Sequence, residues 1–254
     1  MQQLSERLMA IARCIPPGSR IVDVGTDHAY LPIYLVQAGI CPTAVAGDVH
    51  QGPYQVAVKA VREAGLTDYI AVRKGDGLAV ITPGEVEVAI IAGMGGGTIQ
   101  VILEANPQVA ESLTRLVLQP MVDAGPLRGW LLTHGWQLAE EDLVEEDGRI
   151  YELVVAVRAG ASAGAGGLAS AGMASAAEAG QAQADPVLLE VGPLLVKQGH
   201  PLLGRHTDKL IQDRARVLAQ LRRSDSPAAR EKAGRTEQWV ARLEEIRETI
   251  RQGR

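Results

Sequence analysis

Residues 21–32, IVDVGTDHAYLP, constrain the fold more than any other part of the chain. Apolar residues on both sides of Asp23 are typical of a strand that is buried on both faces. Gly25 then permits a sharp turn and lets a ligand approach the backbone, and Asp27 and His28 follow at that turn. The segment therefore predicts the first strand of an open parallel sheet, with acidic side chains at the carboxyl edge where such folds bind small molecules.

Further strand and helix pairs follow this segment. The predicted strands cover residues 43–49, 70–73, 86–93 and 115–118. The last predicted strands lie in residues 136–157, on either side of Asp147-Gly148, which is a hairpin turn signal. This order predicts an α/β, Rossmann-like fold whose parallel sheet ends in an antiparallel hairpin.

Composition divides the chain into three parts. We assign residues 1–158 to the α/β domain. In residues 159–184, 18 of 26 are Ala or Gly, which is too little apolar surface to offset the entropy of ordering, so 159–185 is predicted to be a flexible insertion. Residues 186–254 form a C-terminal region, in which the spacing of Trp239, Leu243, Ile246 and Ile250 is that of a coiled-coil seam and predicts a helical hairpin.

Charge is unevenly distributed. The whole chain carries a net charge of -5, but residues 205–254 hold 13 Lys/Arg against 8 Asp/Glu. A basic tail on an acidic body is expected where only the tail meets phosphate, although an ordinary solvated hairpin has the same charge, and both interpretations stay open. The candidate phosphate contacts are Arg205, Lys209, Arg214, Arg216, Arg222, Arg223, Arg230, Lys232 and Arg235.

Several classes of site and location are disfavoured. Cys14 and Cys41 lack CxxC or metal-type spacing and are expected to be buried thiols in a reducing, cytoplasmic compartment. No signal peptide or membrane-spanning run is evident. The histidines His50, His134, His200 and His206 show no metal-ligand spacing and are expected at the surface. We therefore expect no metal and no membrane, in a monomer or weak homodimer.

The first turn argues against a dinucleotide. A pyrophosphate site needs GxGxxG, whereas this turn reads Gly25-Thr26-Asp27-His28-Ala29 and places an acid where pyrophosphate would be repelled. S-adenosylmethionine (SAM) carries a sulfonium and an ammonium group and no phosphate, so acidic side chains at this turn favour SAM as the ligand. Asp48 ends the second strand, at the usual position of a ribose ligand, and Asp76 follows the third, where it is a candidate for the adenine amino group.

Several motifs occur in the order found in one family. DVGTDHAYLP, GDV with GP, GDGL, AGMGG, LQP, LRGWL and EEDGRIYE resemble the bacterial TrmK family over roughly residues 1–157, and more loosely beyond. That family comprises SAM-dependent methyltransferases that methylate N1 of an adenine, position 22, in the D arm of tRNA. The resemblance implies a class I methyltransferase fold with a helical, tRNA-contacting appendage.

The resemblance also implies roles for residues. The methionine end of SAM would be flanked by Asp23, Gly25, Asp27 and His28, the ribose by Asp48, and the adenine by Asp76 and Gly77. Gly93, Met94 and Gly95 stand where amino-methylating relatives clamp the target base with an Asn/Asp-Pro-Pro-aromatic motif, and the sequence departs from that motif.

Asp27 and Tyr30 are the candidate catalytic residues. Methylation at N1 makes the base cationic, so a carboxylate near N6 would stabilise the developing charge, and Tyr30 is a candidate for stacking on the base. Asp27 as a SAM ligand alone is an equal alternative. Three other functions stay open: a methyltransferase with another substrate, a non-catalytic RNA-binding protein with a decayed SAM site, and an NAD-linked oxidoreductase.

Overall fold

A computed structural model describes residues 4–158, 185–224 and 226–252, and the Ala/Gly-rich segment 159–184 lies outside these ranges. Seven strands occur in the described residues: β1 Ile21–Val24, β2 Ala44–Asp48, β3 Ile70–Lys74, β4 Val88–Met94, β5 Arg115–Pro120, β6 Trp136–Glu146 and β7 Arg149–Arg158. The helices before β6 are α1 Glu6–Arg13, α2 Tyr30–Gln37, α3 Gln51–Glu63, α4 Gly96–Ala105, α5 Pro107–Ser112 and α6 Ala124–Thr133, with a 3-10 helix at Gly77–Val80.

The strands form one sheet in the order β3-β2-β1-β4-β5-β7-β6. All neighbours pair in parallel except β7, which is antiparallel to both β5 and β6. The predicted fold class, a parallel sheet that ends in an antiparallel hairpin, is therefore confirmed. Strands β2 and β3 are added on one side of β1, and β4 and β5 on its other side, so the strand order reverses between β1 and β4. Ligands of open α/β sheets bind at such a switch point.

Helices cover both faces of the sheet. Alternate residues of the central strands enter two separate apolar clusters: Val22, Ile91 and Leu118 pack with α4 and α6, while Ile21 and Ile90 pack with α1, α2 and α3. This burial on both faces explains why the strands read as continuous apolar runs in the sequence. It also leaves the strand ends as the accessible edge.

Four helices make up the described C-terminal region: α7 Pro186–Val191, α8 Pro193–Gln198, α9 Leu203–Leu221 and α10 Pro227–Arg251. The last two pack together as the predicted hairpin. The seam residues Leu243 and Ile246 also contact Val187 and Leu195 of the two short helices and Leu143 of β6 in one apolar cluster. The hairpin is thus anchored on the α/β domain through this cluster.

A buried ionic cluster also connects the C-terminal helices to the α/β domain. Arg128 of α6 is fully buried and pairs with Glu141 and, at 2.8 Å, with Glu152. It also donates to the backbone oxygen of Leu189 at 2.8 Å, while Glu141 accepts from the backbone nitrogen of Leu194 at 2.7 Å. Burial pushes the pKa of Arg128 down, but the neighbouring glutamates hold it above its ordinary value.

His206 corrects one of our surface predictions. It is only 4% exposed, and its Nε2 lies 3.9 Å from Glu152 of the same cluster. Desolvation by burial lowers the pKa of its imidazole, although the charge of Glu152 opposes that shift. Its burial follows from the packing of α9 beside Glu152 of β7, which no local pattern in the sequence indicates.

Candidate active site at the carboxyl edge of the sheet

The turn after β1 is built from unusual backbone conformations. Gly25, Asp27 and Ala29 all have positive φ angles, of 75°, 49° and 55°. Glycine tolerates the φ of 75° at position 25, and a Cβ added there would displace only the flexible Cε end of the Met94 side chain. Such strain at two nearby non-glycine residues, Asp27 and Ala29, is typical of functional sites, and the turn ends directly at the start of α2.

Asp23 lies beneath this turn as a buried carboxyl. Its side chain accepts a 2.6 Å hydrogen bond from Thr26 Oγ1, and the residue is 7% exposed. Desolvation by burial raises its pKa from 3.8 to about 6; the hydrogen bond from Thr26 opposes this shift, and the charge of Asp48 adds to it. A cation bound beside Asp23 would therefore relieve a strained electrostatic environment.

Asp27 and His28 differ from Asp23 in exposure. The Asp27 side chain is 67% exposed, and its Oδ2 lies 3.4 Å from His28 Nε2. The His28 ring stacks on Tyr30, with the ring centres 4.9 Å apart and the planes at 11°. The turn thus presents a carboxylate and an aromatic pair outward, where a second ligand can reach them.

The ends of β2 and β3 bring two further acids to the same edge. Asp48 is buried and accepts a hydrogen bond from the His50 backbone nitrogen at 2.8 Å. The backbone nitrogen of Gly75 donates to the Asp48 backbone oxygen at 3.0 Å, which ties the two loops together. Asp76 is exposed and caps the 3-10 helix without a side-chain hydrogen bond, so its carboxylate is available to a ligand.

The segment after β4 passes between the turns of β1 and β5. Gly93 has a φ of 76°, β4 shifts register between Ala92 and Met94, and Gly95 caps α4. An added Cβ at Gly96 would collide with the backbone oxygen of Asp123. Glycine is therefore required at position 96 for close contact with the following loop.

Sequence reasoning missed the contribution of the β5 end. Gln119 is 1% exposed and accepts a 2.9 Å hydrogen bond from Arg7 of α1, which is 112 residues away in sequence. Met121 and Val122 follow with exposed side chains. The LQP motif marked this place, but nothing local in the sequence indicated Arg7 as the partner.

Comparisons with known proteins place the chain in a family. The model of a methyltransferase domain matches residues 4–154. The tRNA (adenine(22)-N(1))-methyltransferase of Bacillus subtilis is 44% identical over 154 residues, which are 61% of this chain and 65% of that relative. The crystal structure of the B. subtilis m1A22 tRNA methyltransferase TrmK is 32% identical, with a TM-score of 0.81, over 97% of this chain and 99% of the other. The chain belongs to the TrmK family.

A second TrmK-like structure extends the comparison to the cofactor. Sp1610 of Streptococcus pneumoniae, solved in complex with S-adenosyl-L-methionine, is 33% identical over 96% of this chain and 99% of that one, with a TM-score of 0.77. The structural matches include the C-terminal helices, whereas the curated B. subtilis relative aligns over less than two thirds of its length. The predicted family and fold are both confirmed.

Eight of the nine basic residues predicted for TrmK-type tRNA contact fall into two groups, and they lie on α9, on α10 or in the turn between these helices. Five are held by acids, in the pairs Arg205–Glu145, Arg214–Glu190, Arg216–Asp213, Arg222–Glu237 and Arg235–Glu231. Arg214 also lies over the Trp239 ring, so it fits phosphate contact least. Within the described ranges, Lys209, Arg223 and Lys232 are exposed and form no ion pair.

The part of the chain that the structure describes has neither a membrane-spanning helix nor a cluster of metal ligands. None of its helices combines the length and the apolar character that a bilayer span requires. The same residues include no group of three or more His, Cys, Asp or Glu side chains arranged to hold a metal ion.

Proposed function

We propose that this TrmK family member uses SAM to methylate N1 of adenine 22 in the D arm of tRNA, within the cytoplasm. The supporting observation is that one turn carries two differently placed acids, the buried Asp23 and the exposed Asp27. A buried carboxyl with a raised pKa fits a cationic cofactor, and an exposed carboxylate beside an aromatic pair fits a nucleobase. The relatives named above are a tRNA adenine methyltransferase and a protein that binds SAM.

The residues present fit SAM and do not fit a dinucleotide. Asp23 and Thr26 would hold the methionine end together with the backbone at Gly25, Asp48 would bind the ribose hydroxyls, and Asp76 with Gly77 would border the adenine. Asp27 lies three residues before Tyr30, the first residue of α2, so a pyrophosphate at this turn would meet a like charge. When bound, SAM supplies a methyl group activated by its sulfonium.

The protein's own task is then alignment and charge stabilisation. N1 of an unpaired adenine has a free lone pair, so no base is needed before attack, and holding N1 in line with the methyl group supplies much of the rate. Asp27 would accept a hydrogen bond from the N6 amino group and stabilise the positive charge that develops on the ring. Tyr30 would stack on the base after it leaves the tRNA stack.

The direct test is to incubate the protein with SAM and unmodified tRNA and to identify nucleosides by mass spectrometry. We expect 1-methyladenosine. Methylation of a different nucleoside would replace the substrate assignment, and failure to bind SAM would support a non-catalytic RNA-binding protein instead.

The raised pKa of Asp23 leads us to expect that both the stability of the fold and the affinity for SAM depend on pH. The pKa of this carboxyl is higher in the folded protein than in the unfolded chain. The free energy of unfolding therefore falls as the pH rises from about 4 to about 6, and the loss is complete above pH 6. We expect Asp23→Asn to raise the free energy of unfolding at pH 7.5 by about 1–3 kcal/mol and to weaken SAM binding at least tenfold. Urea unfolding and calorimetric titration measure the two effects.

The same change offers an internal control at low pH. At pH 4, where Asp23 is protonated in the folded protein, the stability difference should largely vanish. Wild-type affinity for SAM should fall as pH drops below 6, and the variant's affinity should not. Equal pH profiles of the two proteins would contradict the assignment of Asp23 to the cationic end of SAM.

If the helical hairpin contacts tRNA phosphates, its exposed cations should set part of the salt dependence of tRNA binding. We expect the triple change Lys209→Gln, Arg223→Gln and Lys232→Gln to weaken tRNA binding and to reduce the slope of log affinity against log salt by about 2–3, since each lost phosphate contact contributes just under one unit. SAM affinity should not change.

A matched triple variant controls for charge alone. Arg13→Gln, Lys59→Gln and Arg62→Gln remove three exposed positive charges from α1 and α3. These changes should leave most of the salt slope in place. If both triple variants flatten the slope equally, the hairpin has no special role in tRNA contact.

A further inference from the structure

We propose that Met121 and Val122, in the turn after β5, form the wall of the target-adenine site on the side away from Tyr30. The inference rests on the proposed function and adds residues that bind the substrate base. Neither side chain was a site candidate from the sequence. The ligand that would contact both side chains is one unpaired adenine that has left the tRNA stack.

The two side chains combine high exposure with a fixed backbone. Val122 is 61% exposed and Met121 is 46% exposed. Yet the Met121 backbone nitrogen donates to the Met94 backbone oxygen at 2.8 Å, and the Gly96 backbone nitrogen donates to the Val122 backbone oxygen at 2.9 Å. Adjacent exposed apolar residues on an anchored turn indicate a contact surface for a ligand.

The buried side chain of Gln119 anchors the turn a second time. Its Nε2 donates to the Pro120 backbone oxygen at 3.2 Å, and its Oε1 accepts from Arg7 Nη1 at 2.9 Å. Arg7 is itself held, since its backbone nitrogen donates to Glu146 of β6 at 2.9 Å. Three elements therefore fix the position from which Met121 and Val122 project.

The location matches the place where the base must lie. β4 is the neighbour of both β1 and β5, so the turns after β1 and β5 are about 10 Å apart, on either side of the segment 93–95. An added Cβ at Gly95 would lie 3.4 Å from Val122 Cγ2, which places Val122 against that segment. This spacing suits one planar base between side chains from the two turns.

The side-chain chemistry also suits a base. A methionine thioether is polarisable and packs well on aromatic faces, and a valine offers a stiff apolar surface. Neither group forms hydrogen bonds with base edges, so the wall would hold the ring plane while leaving N1 free to react. Asp27 on the other side would read the amino group.

The test is the double change Met121→Ser and Val122→Ser, compared with Val101→Ser. Val101 lies on α4 and is 63% exposed, so it controls for loss of an exposed apolar group. We expect kcat/KM for tRNA methylation to fall about tenfold or more in the double variant, from the contribution of a base contact. The Kd for SAM and the unfolding temperature should stay at wild-type values, and Val101→Ser should retain wild-type kcat/KM.

Two results would overturn the inference while leaving the proposed function in place. One is a double variant that retains kcat/KM within twofold of wild type, and the other is an equal loss in Val101→Ser. A wild-type protein that binds SAM and forms no methylated tRNA would instead overturn the proposed function, and this wall with it.

Discussion

Replacing Asp27 with asparagine should reduce kcat for tRNA methylation by about 100-fold, the order of loss seen when one group that stabilises transition-state charge is removed. Asp27 is the exposed acid of the β1 turn, whereas Asp23 is buried. Asparagine tolerates the positive φ of 49° at this position, so the turn should keep its shape. The Kd for SAM should change less than threefold.

A matched control exists for the backbone effect. Asp147 in the hairpin turn has a φ of 51° and is also exposed, so Asp147→Asn makes the same chemical change in the same conformation, away from the site. It should retain wild-type kcat. A rise in the Kd for SAM that accounts for the whole loss in Asp27→Asn would instead make Asp27 a cofactor ligand.

Replacing Arg128 with methionine should lower the free energy of unfolding by about 3–5 kcal/mol, the usual cost of leaving buried charges without their partner. Arg128 and the side chain of Glu141 are both fully buried. The change would also remove the donor to Leu189 and so loosen the C-terminal helices. Urea unfolding monitored by circular dichroism measures the effect.

An exposed pair controls this prediction. Arg20 pairs with Glu87 near the surface, with side chains 45% and 37% exposed, and Arg20→Met should cost less than about 1 kcal/mol. The double change Arg128→Met with Glu141→Gln removes the unpaired charge and keeps an acceptor for Leu194, so it should recover part of the lost stability. No recovery would mean that packing, rather than charge, sets the cost.

The strand ends of the candidate site could be predicted from the sequence because each is marked locally. The run before Asp23, the glycine at 25, and the acids at 48 and 76 all follow rules of short-range pattern, and the sheet then places them at one edge. The hairpin turn at 147–148 was predictable for the same reason.

Other parts required the three-dimensional structure. The link from Arg7 to Gln119 spans 112 residues, and Arg128 contacts α7 across 61 residues, so neither leaves a periodic signal. His206 was wrongly expected at the surface for that reason. The positive φ of Asp27 was equally hidden, since aspartate is uncommon but tolerated in that conformation.

The central claim is methylation of N1 at adenine 22, and a matched pair of transcripts tests it most directly. One tRNA carries adenine at position 22 and the other differs only by guanine there; both are incubated with the protein and SAM, digested, and examined for 1-methyladenosine. We predict the modified nucleoside from the first transcript and none from the second. Equal yields of 1-methyladenosine from both transcripts would contradict the claim and place the reaction at another adenine.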